Sequence, residues 1–316
     1  MKIIEEKINS ENLKDLTKKN NLKGFVYFFC FFSIIFSLFL IQIYFLDQKS
    51  WLLFILTTYF LGMFLSFVDQ TAVSHQFQHN NVFTSKKLNQ SLYKICMFYS
   101  LTNWVYNKSS HIAHHKYTLD ENIDDEFANE KLNLLSLFQL FTFNLIIFYR
   151  RIKVLIFNCF EIFPKSKLNL RSNSDFKKKI SNCARFIVFF HIILFSFFYY
   201  FDYHYYYLIF ILSQFVFNFL KDILLRTQHY KLKHNSTNVL ENTRSIETNF
   251  FIKFLFLNEN YHIEHHLYPS VPFYNLPKLR KIIGSDNIPT IYGFGTFIKI
   301  LFSDNLENVF FLRNRN

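Results

Sequence analysis

Glycine, proline and cysteine are scarce in this chain of 316 residues, at five, five and four copies. The glycines, at 24, 62, 284, 293 and 295, never form the G-x-G-x-x-G turn that seats a dinucleotide pyrophosphate, which excludes a nicotinamide or flavin bound through that motif. No fused haem-carrier motif is present either. Cys30, Cys96, Cys159 and Cys183 show no C-x-x-C or other ligand spacing, so neither disulfides nor a sulfur-ligated metal is expected. Acids are the minority charge, 23 against 35 lysines and arginines, and the net charge is +12. No nucleic-acid-binding motif accompanies that charge, so no nucleic-acid partner is expected. Basic loops beside a membrane account for it better. A secretory signal is not expected, because acids are mixed into the charged lead and the apolar run behind it is too long for an h-region.

Apolar and aromatic residues are abundant: the chain is 51% hydrophobic, with 45 Phe and 19 Tyr. Part of that Phe count reflects an AT-rich coding sequence, so the placement of the apolar runs says more than their composition. Phe25 to Leu46 carries no formal charge, and at about 1.5 Å per residue it is roughly 33 Å long, enough to cross a bilayer's hydrocarbon core. After the polar break Asp47–Ser50, Trp51 to Val68 returns across it. A second hairpin turns at Asp202–His204, so the expected spans are about 25–46, 51–68, 184–201 and 205–225. The long stretch from Asn80 to Cys183 carries repeated bases, among them Lys86, Lys87, Lys94, Lys108, Lys116, Arg150, Arg151 and Lys177–Lys179, and is cytoplasmic by the positive-inside rule. Leu132 to Tyr149 is apolar enough to span but is read as interfacial, since a crossing there would strand downstream histidines on the opposite side. The expected fold is an all-α integral membrane protein with four transmembrane helices in two hairpins. A cytoplasmic helical cap would hold a histidine-rich dimetal site. A polar tail over residues 1–24 precedes the membrane domain (25–282), and a cytoplasmic segment (283–316) follows it.

Eight of the chain's twelve histidines fall in three clusters: His75 and His79, then His111, His114 and His115, then His262, His265 and His266. At i, i+3 and i+4 on a helix, three imidazoles leave one face and can converge on one point. If the helix ending near Val68 continues, Thr71, His75 and His79 form a single polar stripe. Near the end of the fourth span, Asn218, Asp222 and Arg226 stand four apart with His229 three further on. That polar flank at a membrane exit makes His229 a ninth candidate ligand. Nine imidazoles exceed what one ion uses, suit iron, zinc or copper, and are read as two adjacent metals with open coordination positions. Asp124, Asp125, Glu126 and Glu264 lie beside the clusters, where a carboxylate can accept the outer N–H of a ligand histidine. His191, His204 and His234 are read as structural. Pro269, Pro272 and Pro277 end the last cluster's helix, and the aromatic stretch Leu267–Pro277 between them suits a wall for an apolar substrate.

The boxes H-x-x-x-H, H-x-x-H-H and H-x-x-H-H, in this order and interleaved with two helical hairpins, resemble the membrane fatty acid desaturase and hydroxylase superfamily from about Trp51 to Leu279. Asn260–Pro277 is especially similar to the third box of its acyl desaturase branch, and Arg226–Tyr230 resembles the segment supplying that family's additional histidine. The resemblance implies a non-haem diiron centre that activates molecular oxygen and removes two hydrogens from an acyl chain. That acyl group would be lipid-linked or a thioester. It also implies a separate electron donor, ferredoxin-like or a small haem carrier. Gln76 and Gln228 depart from the family, which often carries an acid at both positions; an amide accepts a hydrogen bond without the charge that raises ligand basicity. The same boxes serve carotenoid or lipid hydroxylases and ketolases, and a non-catalytic metal-binding or transporting membrane protein is the alternative of another class.

Overall fold

The computed structural model describes residues 7–126 and 134–302. The outermost part of the tail, the start of the stretch from Leu132 and the end of the 283–316 segment lie outside these residues. A short helix, α1 (Ser10–Leu16), precedes α2 (Asn21–Asp47), whose N-terminus Asn20 caps by accepting the Lys23 N–H. A turn through Lys49, at φ 54°, reverses the chain into α3 (Trp51–Ser66). Buried Gln42 donates from Nε2 to Thr58 Oγ1 at 2.7 Å and Ser213 Oγ at 3.3 Å, so its amide nitrogen is satisfied within an apolar bundle.

The second span stops at Ser66, so the single stripe expected through Thr71, His75 and His79 does not form. Asp69 gives the reason. Its Oδ1 accepts the Thr71 N–H at 2.9 Å, a local bond that competes with helix continuation. Its Oδ2 is held by Arg151 at 2.6 Å and Lys221 at 3.1 Å, which compensate a buried charge. The chain restarts as α4 (Val73–Gln78) and runs on through α5 (Lys86–Tyr99) and α6 (Trp104–Lys116).

Helices α7 (Leu134–Phe141) and α8 (Leu145–Cys159) replace the single interfacial stretch expected up to Tyr149. After α9 (Lys167–Arg171), α10 (Ser174–Tyr200) starts well ahead of the expected residue 184, capped by Asn173 on the Phe176 N–H. The fourth expected span is not one helix. It consists of α11 (His204–Ser213), a break at Gln214–Asn218, and α12 (Phe219–His229). The break pairs with the link between α7 and α8: Asn144 N–H donates to Phe215 O at 2.8 Å and Phe217 N–H to Thr142 O at 2.9 Å. Asn218 Nδ2 donates to Gln214 O at 3.0 Å, taking a carbonyl that a helix would use.

Gly62 of α3 lies against this break, where an added Cβ would come within 2.5 Å of Val216 O and 2.6 Å of Ser213 O. Two backbones would have to separate, so Gly62→Ala is expected to cost about 1–3 kcal/mol and to lower the melting temperature of the detergent-solubilised protein. An unchanged melt would show that the contact is dispensable.

The C-terminal part carries α13 (Val239–Asn242), β1 (Ser245–Glu247), α14 (Phe250–Leu255), α15 (His262–Leu267), α16 (Leu276–Ile283), β2 (Thr290–Tyr292) and α17 (Phe294–Phe302). β1 and β2 pair in parallel with Ser245 opposite Thr290, a small departure from the all-α expectation. Among the described residues, α2 and α10 are the helices long and apolar enough to cross a membrane. Both leave large apolar side chains outward, with Phe29 74% and Phe197 56% exposed, a surface that suits lipid better than water. The main core runs from Phe28 and Phe31 of α2 through Phe77 to Phe256 and Phe273, and so packs against the segments that carry the first and third histidine boxes.

Candidate metal centre

All nine expected histidines come together, in two groups. His75, His79, His111, His115 and His265 form one; His114, His229, His262 and His266 form the other, and within each group the candidate ligand atoms lie within 4.8 Å of one another. The helical spacing explains the division. Residues at i, i+4 share a group (75 with 79, 111 with 115, 262 with 266), whereas His114 and His265, offset by about 100° from the next histidine of their box, fall in the other group. The expectation that His262, His265 and His266 converge on one point is therefore corrected. His229, last residue of α12, completes the second group.

In the first group the Nε2 atoms of His75 and His265 are 2.8 Å apart, His79 and His111 3.0 Å, His111 and His115 2.9 Å, and His115 and His265 3.2 Å. In the second, His262 Nε2 is 2.9 Å from His229 Nε2 and 3.1 Å from His266 Nε2. Two imidazole nitrogens at right angles on an ion, each about 2.1 Å from it, would be about 3.0 Å apart. Hydrogen bonds alone do not explain the packing. His229 Nδ1–H donates to the Asn242 carbonyl at 2.9 Å, which leaves Nε2 bare. The Thr118 hydroxyl donates to His114 O at 2.7 Å and so accepts from His266 Nδ1 at 3.2 Å, leaving that Nε2 bare too. His262 Nε2 faces both lone pairs and can donate to one. In the other group, His111 Nδ1–H donates to Glu126 at 2.9 Å, and its bare Nε2 faces two more nitrogens. Converging lone pairs with outward protons are the donor set of a cation site, and imidazole without sulfur suits iron, zinc or copper.

The electrostatics agree. Burial, reinforced by neighbouring imidazoles, holds His75, His262 and His266 well below the ordinary histidine value, and lowers His229 to about 3. These rings are neutral at pH 7, the form that binds metal. Burial also lowers His114, but the hydrogen bond and charge of Asp124, 2.9 Å from its Nδ1, outweigh this and raise it.

The acids divide. Asp124 and Glu126 accept from ligand histidines as expected. Asp125 instead accepts the backbone N–H groups of Lys167 and Leu168 at 2.9 and 2.8 Å, which ties the loop to α9. Glu264 turns away from the centre to Ser245 Oγ at 2.6 Å and Arg280 at 2.9 Å. The Gln228 amide lies 3.0 Å from His262 Nδ1, and Gln76 Nε2 donates to Glu259 Oε1. Glu259 is the residue that sequence reasoning missed. Its carboxylate is fully buried, and burial pushes its pKa up to about 8. The available signal was its place three residues before His262, on the same side of a helix if one began there.

The fatty acid desaturase family model matches residues 49–291, a stretch that contains all nine histidines. The chain belongs to that family. No curated protein matches it. The fatty acid desaturases are membrane-bound non-haem diiron enzymes, oxidoreductases of the desaturase and hydroxylase type, and two imidazole groups fit two irons. A cavity of about 120 Å³ is lined by His75 and His111 of one group and by His114, His229 and His262 of the other. A larger apolar cleft of about 360 Å³ between α8, α10 and α11 meets neither group. His191 lies there, bonded to Tyr207 and the Phe98 carbonyl, and His234 pairs with Glu121. His191, His204 and His234 are absent from both groups.

Proposed function

We propose that the chain is an oxygen-dependent acyl-chain desaturase, with one iron held by His75, His79, His111, His115 and His265 and a second by His114, His229, His262 and His266. The observation carrying this reading is the pair of imidazole groups facing one cavity. When bound, the irons would activate dioxygen and supply the oxidising power to take two hydrogens from adjacent methylenes, leaving a double bond and water. The protein's part is positioning. Asp124 and Glu126 hold His114 and His111 by their outer nitrogens, and the apolar packing around the boxes excludes bulk water. Two hairpins, α2 with α3 and α10 with α11–α12, would anchor the chain in the bilayer with the histidines on the cytoplasmic face. Desaturation is favoured over hydroxylation by the likeness of Asn260–Pro277 to the acyl desaturase third box.

Fatty-acid and lipid profiling of a host expressing the chain tests this. New double bonds support the reading. Oxygenated lipids or carotenoids would favour a hydroxylase or ketolase, and altered metal uptake without either would favour a transporter. The acyl substrate is taken to be lipid-linked or thioester-linked.

Two electrons per turnover must come from a separate donor, and an acidic ferredoxin suits the basic N-terminal turns of α5, with Lys86 and Lys87, and of α10, with Lys177–Lys179. Turnover in a reconstituted system is then expected to fall as salt rises from about 0.05 to 0.5 M. A flat response would count against an electrostatically docked donor.

A further inference from the structure

Among the described residues, Glu259 and Asp124 are fully buried acids whose ion-pair partners are histidines rather than lysine or arginine, and Glu259 is the one that faces histidines of both groups. Asp69 is held by Arg151 and Lys221, and Glu264 by Arg280. The ion-pair partners of Glu259 among the described residues are histidines alone, and it is fully buried. Isolated buried carboxylates are costly unless they are paired, hydrogen-bonded or beside a metal ion. The backbone is shaped to put it there. Leu257 and Asn258 take left-handed conformations in succession, at φ 50° and 56°, which is unfavourable for a leucine. Side chains pin the turn on both sides: Asn258 Nδ2 donates to Phe273 O at 3.1 Å and Asn260 Nδ2 to Ile246 O at 2.9 Å.

From this turn one carboxylate reaches both groups. Its Oε2 is 3.6 Å from His75 Nε2 in the first and 3.4 Å from His262 Nδ1 in the second, and Oε1 is 3.8 Å from His265 Nδ1 in the first. His265 Nδ1 has no hydrogen-bond partner, although a ring bound through Nε2 carries its proton there. Gln76 donates to Oε1 and fixes the carboxylate's orientation from α4.

We infer that Glu259 is a positioning residue shared by the two metal sites, orienting His262 of one and His265 of the other. This rests on the diiron reading above. It makes the two sites dependent on one side chain, whereas Asp124 and Glu126 each hold a histidine of one site.

Iron content and affinity, measured by elemental analysis during titration with a chelator, test this without reference to turnover. Glu259→Gln, close in shape, is expected to weaken retention of both irons together by about 10- to 100-fold. Glu264→Gln, which removes an equally buried acid directed away from the histidines, is expected to lower the melting temperature and leave iron affinity at the native level. The exchange Gln76→Glu with Glu259→Gln returns a carboxylate across the same hydrogen bond and is expected to hold iron more tightly than Glu259→Gln alone. Native iron affinity in Glu259→Gln would overturn the inference, as would an exchange variant no better than the single one. If the native chain binds no iron, the diiron reading fails; if it binds two and Glu259→Gln binds them equally well, only the role of Glu259 fails.

Discussion

His262→Ala is expected to form no double-bond product and to retain one iron where the native chain holds two. His262 Nε2 is the hub of the second group, in contact with His229 and His266, so its removal leaves three imidazoles around an enlarged space. The first group keeps all five of its members. His265→Ala, three residues on, should instead disturb the first group and leave the second intact, because the two residues face opposite sites. Chemistry that needs both ions stops in either variant, while the iron remaining is bound by different ligands. Iron stoichiometry with lipid profiling checks both statements, and a His262→Ala chain with undiminished product would refute the assignment.

Removal of iron should make the fold acid-sensitive near neutrality. His75, His229, His262, His265 and His266 are buried, and burial lowers each below the ordinary histidine value. Their folded pKa values lie below those of the unfolded chain, so protons bind the unfolded chain first. The stability contributed by keeping them neutral is complete above about pH 6.5 and is lost as the pH falls below it. Each such imidazole costs roughly 1.4 kcal/mol per pH unit, or on the order of 7 kcal/mol for five, against about 5–15 kcal/mol for a whole domain. His114, which burial lowers but Asp124 raises further, is one group acting in the opposite direction. Chelator-treated protein should therefore melt far lower at pH 5.5 than at pH 7.5. Iron-loaded protein should change less, because protons must first displace the ions. Equal melting of the metal-free form at both values would show that the cluster is not held neutral.

Much of the centre was legible in the sequence because helical spacing is local information. The nine histidines follow from position, whereas position marked four acids alike and only Asp124 and Glu126 of them meet candidate ligands. Where the reading went wrong, the deciding contact was remote. The second span's end depends on Asp69 meeting Arg151 and Lys221, 82 and 152 residues away. The fourth span breaks where it pairs with residues 142–144. Glu264 sits inside the third box, yet Arg280 takes it elsewhere. Glu259 went unnoticed, since acids outside regular structure are usually solvated and its partner Gln76 is 183 residues away.

The division of α15 between the two groups has a consequence for how the protein is made. Each group needs a histidine from residues 262–266, and His75 meets His265 across 190 positions of chain. During synthesis the first two boxes and His229 emerge long before either coordination sphere can close. On the diiron reading, neither ion could be fully enclosed before that one short helix arrives, so iron insertion would be a late step of maturation.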